Sequence, residues 1–231
     1  MIRKEFELRE VPLKQYLLFD LDGTLVNSKE GIVKSVYYAL DTLGIEESEP
    51  EKLIRFIGPP LDYSFRTFYN LNETGVRRAM EKYRERYSAK GLFECEIYGG
   101  MKELLEKLRA EGKFLCVATS KPQIFTEQIL DMFQIRPYFQ VVVGASLDDS
   151  LQEKADIIAE VLKQLPETAE KSEMLMIGDR EHDVIGARQN GIECAGIRHG
   201  FAQPGEFEAA GADYIVAGTD ELAQLLERLG A

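Results

Sequence analysis

Short apolar segments alternate with longer amphipathic segments along most of this 231-residue chain. The short segments are rich in β-branched and aromatic side chains, which predicts buried strands. The longer segments repeat their apolar positions at helical spacing, and strands that alternate with helices are typical of a parallel sheet with crossover helices. The predicted strands cover Tyr16–Asp20, Phe114–Thr119, Phe139–Val143, Met174–Gly178, Glu193–Ile197 and Tyr214–Val216.

The predicted helices lie between these strands, and several have recognisable ends. Gly112 and Gly191 follow helical segments at positions where a left-handed cap is favourable. The expected fold class is therefore α/β, with a Rossmann-like parallel sheet as the core and helices on both of its faces. The helices are expected over Met101–Ala110, Pro122–Phe133, Glu153–Leu165, Asp183–Asn190 and Thr219–Leu229.

Residues 27–97 depart from this alternation, because they contain no convincing strand. Ser28 begins a helix whose apolar positions follow a helical period until Gly44. We therefore expect a small all-helical cap, residues 27–97, inserted after the first strand of a core that comprises residues 1–26 and 98–231. Further helices are predicted in this cap over Pro50–Phe56, Leu61–Tyr69 and Thr74–Lys90.

Two connecting regions have a less definite pattern. The paired glycines Gly99 and Gly100, where the chain leaves the cap, suit either a hinge or a tight turn. Residues 5–11 alternate apolar and polar side chains, which favours an edge strand.

Composition limits the partners of the protein. The formal charge of −12 argues against non-specific nucleic-acid binding, which depends on Lys and Arg at the phosphates. An anionic substrate must then be attracted locally, by a metal, a lysine or helix N-termini. No apolar run approaches the roughly 20 residues that span a bilayer, and the charged amino terminus lacks the apolar region of a signal peptide. We expect a cytoplasmic protein without nucleic-acid or membrane partners.

The cysteines agree with this location. Cys95, Cys116 and Cys194 are scattered without CxxC spacing, and two of them lie in predicted strands. Free thiols in a reducing compartment are therefore expected rather than a disulfide or a zinc site.

Two carboxylates stand one residue apart where the first predicted strand ends. These are Asp20 and Asp22, and Gly23 and Thr24 follow them directly. Open α/β sheets place their ligands at the carboxyl ends of the strands. Because neighbouring acids repel each other, a cation or a proton must offset their charge. A metal site is the first hypothesis.

Other polar groups stand where later strands end or helices begin. Taken singly, each has a structural alternative, such as a helix cap, an Asx turn or a solvated lysine. Their joint placement, in order and each beside an apolar strand, favours one shared site at the carboxyl edge of the sheet. They are Thr119-Ser120-Lys121-Pro122, Lys154, and Gly178-Asp179 with Asp183.

With these residues the chain resembles the haloacid dehalogenase superfamily, in its Mg²⁺-dependent phosphatase branch. The first family motif is matched by Asp20-Leu21-Asp22-Gly23-Thr24, the second by Thr119, the third by Lys154, and the fourth by Gly178-Asp179 with Asp183. The likeness runs from about Tyr16 to Leu229, and residues 27–97 resemble the small cap that the family inserts after its first motif. Two segments favour the phosphoglycolate phosphatase and bacterial 5′-nucleotidase group, Phe56-Ile57-Gly58-Pro59-Pro60-Leu61 and Thr119-Ser120-Lys121-Pro122.

The resemblance implies a phosphatase that acts on a small-molecule phosphate ester with Mg²⁺ as its cofactor. Asp20 would attack phosphorus and form an aspartyl-phosphate. Asp22 would protonate the leaving alcohol and later take a proton from water. The implied Mg²⁺ ligands are Asp20, the backbone carbonyl of Asp22, Asp179 and, directly or through water, Asp183. The implied phosphate-binding residues are Thr119, Ser120 and Lys154.

Three alternatives use the same fold. Dehalogenases attack carbon and need no general acid at the second carboxylate, so the presence of Asp22 favours a phosphoryl substrate. A sugar phosphomutase of the β-phosphoglucomutase type shares the core residues, although the segment Ile57-Gly58-Pro59-Pro60 favours a hydrolase. A non-catalytic regulatory protein is the third alternative, because a fold does not fix a function, but every motif residue is intact.

The cap bears on the choice of substrate. The loop around Gly58 is expected to face the core site, and Arg55 either reaches a second anionic group or lies exposed on its helix. The stripe of Val76, Met80, Tyr83 and Tyr87 is expected to form the interior of the cap. Lys121 is left open between a phosphate neighbour and a helix-start lysine. Phosphoglycolate, a nucleoside 5′-monophosphate and a sugar phosphate all stay open as substrates, as do a monomer and a homodimer.

Overall fold

The computed structural model describes residues 13–147 and 150–231. Within these residues, six parallel strands form one sheet in the order β5-β4-β1-β6-β7-β8, and two short strands, β2 and β3, form a separate ribbon. The strands are β1 Tyr16–Phe19, β2 Val26–Asn27, β3 Glu96–Ile97, β4 Phe114–Pro122, β5 Val141–Ala145, β6 Met174–Gly178, β7 Glu193–Ile197 and β8 Tyr214–Val216.

Helices lie between most of these strands. The α-helices are α1 Lys29–Thr42, α2 Leu61–Tyr69, α3 Glu73–Ala89, α4 Met101–Ala110, α5 Gln123–Met132, α6 Lys154–Leu162, α7 Glu181–Asn190, α8 Glu206–Ala210 and α9 Thr219–Arg228. Short 3₁₀ helices cover Pro50–Phe56, Gly91–Phe93, Arg136–Tyr138 and Lys171–Glu173.

Strand β1 lies in the middle of the sheet and is buried on both faces. Leu17 and Phe19 pack into one apolar cluster, whereas Tyr16 and Leu18 pack into a second cluster on the opposite face. Because successive strand residues point to opposite faces, a strand covered on both sides is a continuous apolar run. The prediction of an α/β fold with a parallel sheet is confirmed.

The register of β1 determines which chain positions meet at the carboxyl edge. Phe19 pairs with Val117 of β4 on one side and with Ile177 of β6 on the other. The residues that follow these partners therefore emerge side by side, which brings the ends of three strands to one place.

Most element boundaries agree with the sequence prediction, and the differences have local causes. Strands β6, β7 and β8 begin and end as predicted. The strand predicted over Phe139–Val143 instead begins at Val141, because a 3₁₀ helix with Pro137 in its first turn precedes it. Strand β4 continues past Thr119 to Pro122 through an irregularity in its pairing. Helix α8 was not predicted, and the edge strand expected over residues 5–11 lies outside the described residues.

Helix α7 begins two residues before the predicted start at Asp183. The Asp183 carboxylate accepts a hydrogen bond from the backbone N–H of Arg180 at 3.1 Å, so Asp183 lies in the first turn and caps it. An acid at this position also opposes the positive end of the helix dipole.

The prediction that residues 27–97 contain no strand is wrong at both ends of that range. Strand β2 pairs antiparallel with β3, with Val26 opposite Ile97 and Asn27 opposite Glu96. Each strand has only two residues, which is too short for an alternating pattern to be recognised. The remaining described elements of this range are helical. At the exit, Gly100 adopts φ +75° immediately before α4, so a tight turn accounts for this glycine.

Helix α1 approaches the chain after α3 unusually closely at Gly31. Its backbone N–H donates to the Glu94 carbonyl at 3.0 Å. A Cβ at this position would lie 2.0 Å from the Gly91 carbonyl oxygen. Any side chain at residue 31 would therefore push these two segments apart.

We expect Gly31→Ala to destabilise the protein, because relief of the clash requires a backbone shift that costs about 1–3 kcal/mol. This exceeds the gain of up to about 1 kcal/mol that alanine brings to a helix interior. The measurement is the urea midpoint. Gly99→Ala is the control, because open space surrounds that position and its φ is not positive. Equal midpoints for the two variants would contradict the packing described for α1.

Candidate active site

Three buried carboxylates converge at the carboxyl edge of the sheet. Asp20 follows β1, Asp179 follows β6, and Asp183 lies in the first turn of α7. One oxygen from each lies within 4.8 Å of the others. Their exposed fractions are 6%, 0% and 1%, so the three acids share a site that is almost closed to solvent. The sequence predicted this convergence, and the structure brings these three residues together.

Asp179 is held by its neighbours on both oxygens. Its Oδ2 accepts a hydrogen bond from the backbone N–H of Phe201 at 2.8 Å, and its Oδ1 lies 3.5 Å from the Thr24 hydroxyl. Gly23 lies directly against it, since a Cβ there would come within 2.1 Å of Oδ2. The glycine after Asp22 is therefore required for the first motif to approach this carboxylate.

Burial and mutual repulsion disfavour the charged forms of these acids. The pKa of Asp179 is raised well above its usual range by burial and by the charges of Asp20 and Asp183, and the Phe201 N–H opposes this only in part. Burial also raises the pKa of Asp183, although the Lys154 ammonium works against it. The folded chain thus holds these acids where their charged forms are unfavourable unless a cation offsets the charge.

Lys154 supplies the positive charge inside this cluster. Its Nζ lies 2.9 Å from Asp20 Oδ1 and 2.8 Å from Asp183 Oδ1, and it donates a hydrogen bond to the Ala118 carbonyl at 3.0 Å. Burial alone would lower the pKa of this ammonium, but Asp183 and Asp20 together raise it. Lys154 is therefore charged and bridges two of the three acids.

The cluster fits a divalent cation. Three carboxylates and one ammonium leave an excess of negative charge in a buried site, and the set consists of the hard oxygen ligands that Mg²⁺ prefers. Within the described chain, Asp20 Oδ1 and Asp183 Oδ1 lie close to Lys154 Nζ and have no other hydrogen-bond partner. These oxygens keep lone pairs for an ion.

The Asp22 carboxylate lies apart from this cluster and binds Lys121. Asp22 Oδ2 lies 2.7 Å from Lys121 Nζ, and the exposed fractions of the two side chains are 14% and 4%. The same ammonium lies 4.8 Å from the centre of the Tyr87 ring. The side chain of Lys121, whose role the sequence left open, therefore contacts the second carboxylate of the first motif.

Thr119 and Ser120 stand beside Asp20 on the end of β4. Thr119 is buried, and its hydroxyl oxygen accepts a hydrogen bond from the Lys121 N–H at 3.2 Å. The Ser120 hydroxyl is 3.5 Å from the Gln152 carbonyl. Both residues line the cleft that opens above Asp20 and Asp22. The structure therefore brings every predicted core residue to this edge of the sheet.

A cleft of about 110 Å³ opens above these residues, and helices of residues 27–97 form its opposite wall. Gly58 lines the cleft as predicted. Arg55 does not, because it is exposed and its guanidinium stacks on Phe68 at 4.2 Å. Three residues of the stripe assigned to the interior of the cap, Met80, Tyr83 and Tyr87, also line the cleft. The wall from residues 27–97 includes Phe56, Met80, Tyr83, Arg84 and Tyr87, and Phe125 of α5 lines the cleft beside it.

Sequence reasoning did not assign Lys121, Arg84 or Arg180 to the site. Arg84 follows Tyr83 on α3 and lines the cleft. The sequence pattern of this helix indicated only its apolar stripe and gave no signal for Arg84. Arg180 lies between Asp179 and α7 and donates to the Ile57 carbonyl across the cleft wall. A signal existed for Arg180, because it directly follows the aspartate of the fourth motif.

Comparison with known proteins agrees with this geometry. The model of the haloacid dehalogenase-like hydrolase family matches residues 17–197. A 5′-nucleotidase of Pseudomonas aeruginosa is 41% identical over 211 residues, which cover 91% of this chain and 95% of that protein. The tyrosine-protein kinase PtkA of Mycobacterium tuberculosis is 36% identical, over 94% of this chain and 72% of its own length. The crystal structure of a predicted phosphatase from Clostridium acetobutylicum has a TM-score of 0.89 and 44% identity, and covers 94% of this chain and 99% of that one.

The chain belongs to the haloacid dehalogenase-like hydrolase family, as its motifs predicted. It is an enzyme of the phosphatase class, which acts on phosphate monoesters. The alternative of a non-catalytic protein on this fold is therefore set aside. No helix in the described residues is long and apolar enough to cross a membrane. The cytoplasmic location and the choice between monomer and homodimer stay predictions.

We expect Mg²⁺ to raise the melting temperature of the protein, because an ion that binds only the folded state stabilises it. At one hundred times the dissociation constant this is about 2.7 kcal/mol, or roughly 5–10 °C for a chain of this size. Asp179→Asn should raise the melting temperature without Mg²⁺, because it removes a buried acid whose ionisation the fold disfavours, and should at least halve the Mg²⁺ shift.

Asp220→Asn is the control, because Asp220 is exposed on α9 far along the chain from the cluster. Its Mg²⁺ shift should equal that of the wild type. Equal shifts in wild type and Asp179→Asn would show that the ion binds elsewhere.

Proposed function

We propose that this enzyme is a Mg²⁺-dependent phosphatase that hydrolyses small-molecule phosphate monoesters through an aspartyl-phosphate on Asp20. The single observation that carries the proposal is the buried cluster of Asp20, Asp179, Asp183 and Lys154, which meets the cleft at Asp20. Phosphoryl transfer depends mostly on positioning and charge neutralisation, and this cluster supplies both beside a carboxylate that is able to act as a nucleophile.

In the first step, an oxygen of Asp20 forms a bond to phosphorus while the bond between phosphorus and the leaving oxygen breaks. Asp22 donates a proton to that oxygen, so the leaving group departs as an alcohol. Lys154 and the Thr119 hydroxyl bind the phosphoryl oxygens and fix the line of attack. The contact between Lys121 and Asp22 holds the acid at the cleft while the leaving group enters.

In the second step, Asp22 takes a proton from a water molecule, which attacks phosphorus. The bond between phosphorus and Asp20 then breaks, inorganic phosphate is released, and both carboxylates return to their starting forms. The aspartyl-phosphate thus divides the reaction into two displacements, each easier than a single direct one.

The carboxylates of Asp20, Asp179 and Asp183, with the backbone carbonyl of Asp22, are the residues that would hold Mg²⁺. When bound, the ion neutralises charge on the transferring phosphoryl group and on Asp20. Residues 27–97 act in this proposal as a cap on a core of residues 1–26 and 98–231. Support comes from the cleft, whose walls come from both ranges. A closed cap excludes water that would otherwise screen the charges of the site.

The cleft wall favours a substrate with a flat apolar portion. Tyr83 and Tyr87 stack with ring centres 5.3 Å apart, and Phe125 meets Tyr87 edge-on at 5.2 Å. Aromatic walls of this kind bind nucleobases by stacking. A nucleoside 5′-monophosphate therefore suits the cleft better than phosphoglycolate, in agreement with the 5′-nucleotidase named among the relatives. Phosphoglycolate stays the second candidate.

We expect Asp20→Asn to abolish Mg²⁺-dependent hydrolysis of p-nitrophenyl phosphate, with a loss on the order of 10³ in kcat or more, because the amide is a poor nucleophile. The measurement is release of p-nitrophenol. Asp220→Asn, the same change at an exposed position, should keep wild-type activity. Turnover by Asp20→Asn near the wild-type rate would rule out an intermediate on Asp20.

We expect Phe125→Ala to lower kcat/KM for nucleoside 5′-monophosphates about fivefold or more, because stacking contributes about 1–3 kcal/mol per base. Hydrolysis of phosphoglycolate, which has no ring, should change little. Phosphate release from a panel of both substrate types is the measurement, and Ile124→Ala is the control, because Ile124 is the exposed neighbour outside the cleft wall. A uniform loss on all substrates would contradict a stacking role, and a sugar phosphate isomerised without phosphate release would favour the phosphomutase alternative.

A further inference from the structure

Arg180 is a buried arginine whose side chain joins the sheet edge to the opposite wall of the cleft. Its Nη1 donates a hydrogen bond to the backbone carbonyl of Ile57, 123 positions away in the chain. Ile57 ends the 3₁₀ helix Pro50–Phe56 and begins the loop of Gly58, Pro59 and Pro60, and these three residues line the cleft above Asp20. The contact therefore fixes the segment that covers the reacting carboxylate.

The loop is shaped to receive this guanidinium. Gly58 has φ +107°, and a Cβ at this position would lie 3.0 Å from both Cγ and Nη1 of Arg180. Two features therefore favour glycine at position 58, namely its backbone conformation and the close approach of the arginine. This fit goes beyond an incidental contact between two surfaces.

Glu206 holds the guanidinium from the other side. Its Oε1 accepts Nε of Arg180 at 2.8 Å and the Glu181 N–H at 2.8 Å, and its Oε2 accepts the Gln203 N–H at 2.8 Å. Burial alone would raise the pKa of Glu206, but these hydrogen bonds lower it below its usual value. A charged carboxylate with an exposed fraction of 7% therefore fixes the arginine in one orientation.

Arg180 is also tied to the carboxylate cluster. It directly follows Asp179, and its own backbone N–H donates to Asp183 Oδ2 at 3.1 Å. The backbone that positions two of the three acids thus positions the residue that reaches Ile57. Any shift of this backbone is transmitted to the cleft wall through one rigid side chain.

We propose that Arg180 is a positioning residue that latches the Ile57–Pro60 loop over Asp20 and couples the closed state of the cleft to the carboxylate cluster. This inference rests on the proposed function, in which residues 27–97 act as a cap. Without the latch the loop moves away from the site. Substrates whose leaving group reaches the loop then bind less well, whereas a substrate with a very small leaving group is little affected.

The first test is hydrogen exchange of the loop in Arg180→Ala, measured without substrate. The peptide that covers residues 53–62 should exchange faster than in the wild type, and the peptide that covers β6 should not change. Arg188→Ala is the matched control, because Arg188 lies on α7, the helix that directly follows Arg180, and donates to the Ala210 and Gly211 carbonyls at 2.6 and 3.0 Å, away from the cleft. It should leave exchange at residues 53–62 unchanged.

The second test compares two substrates. Arg180→Ala should lower kcat/KM for a nucleoside 5′-monophosphate by about 10–100-fold, mainly through KM, because a wall of the binding site is displaced. With acetyl phosphate, whose leaving group is very small, the loss should be less than threefold. Arg188→Ala should match the wild type on both.

A double-mutant cycle with Gly58→Ala tests the contact from the loop side. The new Cβ disturbs the same fit. The factor by which Gly58→Ala speeds the exchange of residues 53–62 should therefore be at least threefold smaller when Arg180 is already alanine. The backbone strain at residue 58 is present in both backgrounds and cancels in this comparison.

Several outcomes would overturn the latch. Unchanged exchange at residues 53–62 in Arg180→Ala would do so, as would equal losses on both substrates or additive effects in the cycle. Faster exchange across β6 as well would show that Arg180 supports folding in general. If neither the wild type nor any variant hydrolyses a substrate, the proposed function is wrong. The exchange experiment still tests the latch in that case, because it needs no substrate.

Discussion

Three carboxylates share one almost closed site with a single ammonium, and this imbalance of charge governs the carboxyl edge of the sheet. Lys154 contacts Asp20 and Asp183, whereas Asp179 forms no ion pair with a described side chain. Removing charged groups from water is unfavourable, and the remaining repulsion adds to it. A cation is the simplest way to offset both, so in the proposed function the feature that weakens the folded chain is the one that prepares it to bind Mg²⁺.

The convergence of these acids was predictable because it follows from backbone rules. Asp20 and Asp179 each come directly after a buried apolar strand, and parallel strands end at one edge of a sheet. The pairing of Phe19 with Ile177 then places the next residues side by side. Strand order across the sheet did not have to be known in detail, since the alternation of strands and helices and the position of each acid were sufficient.

The contacts between the two walls of the cleft were not predictable in this way. A helical stripe shows that Met80, Tyr83 and Tyr87 share a face, but not whether this face meets its own helices or the core. The places of Arg55 and Arg84 were equally unpredictable. Arg55 stacks on Phe68 and Arg84 lines the cleft, and only the packing of the helices decides this. The pairing of Lys121 with Asp22 depends on an irregular end of β4, which no periodic pattern encodes.

The buried site persists because the sheet beneath it is packed on both faces. Leu17 and Phe19 of β1 lie in one apolar cluster and Leu18 in the other, each fully buried, and β6 contributes to both clusters in the same way. Burial of such side chains contributes about 1.5–3 kcal/mol each, which offsets the unfavourable electrostatics of the strand ends. The same packing holds Asp20 and Asp179 in place at the ends of β1 and β6. In the proposed function, a sheet of this kind thus fixes the phosphoryl chemistry at its edge, and the helices of residues 27–97 recognise the leaving group.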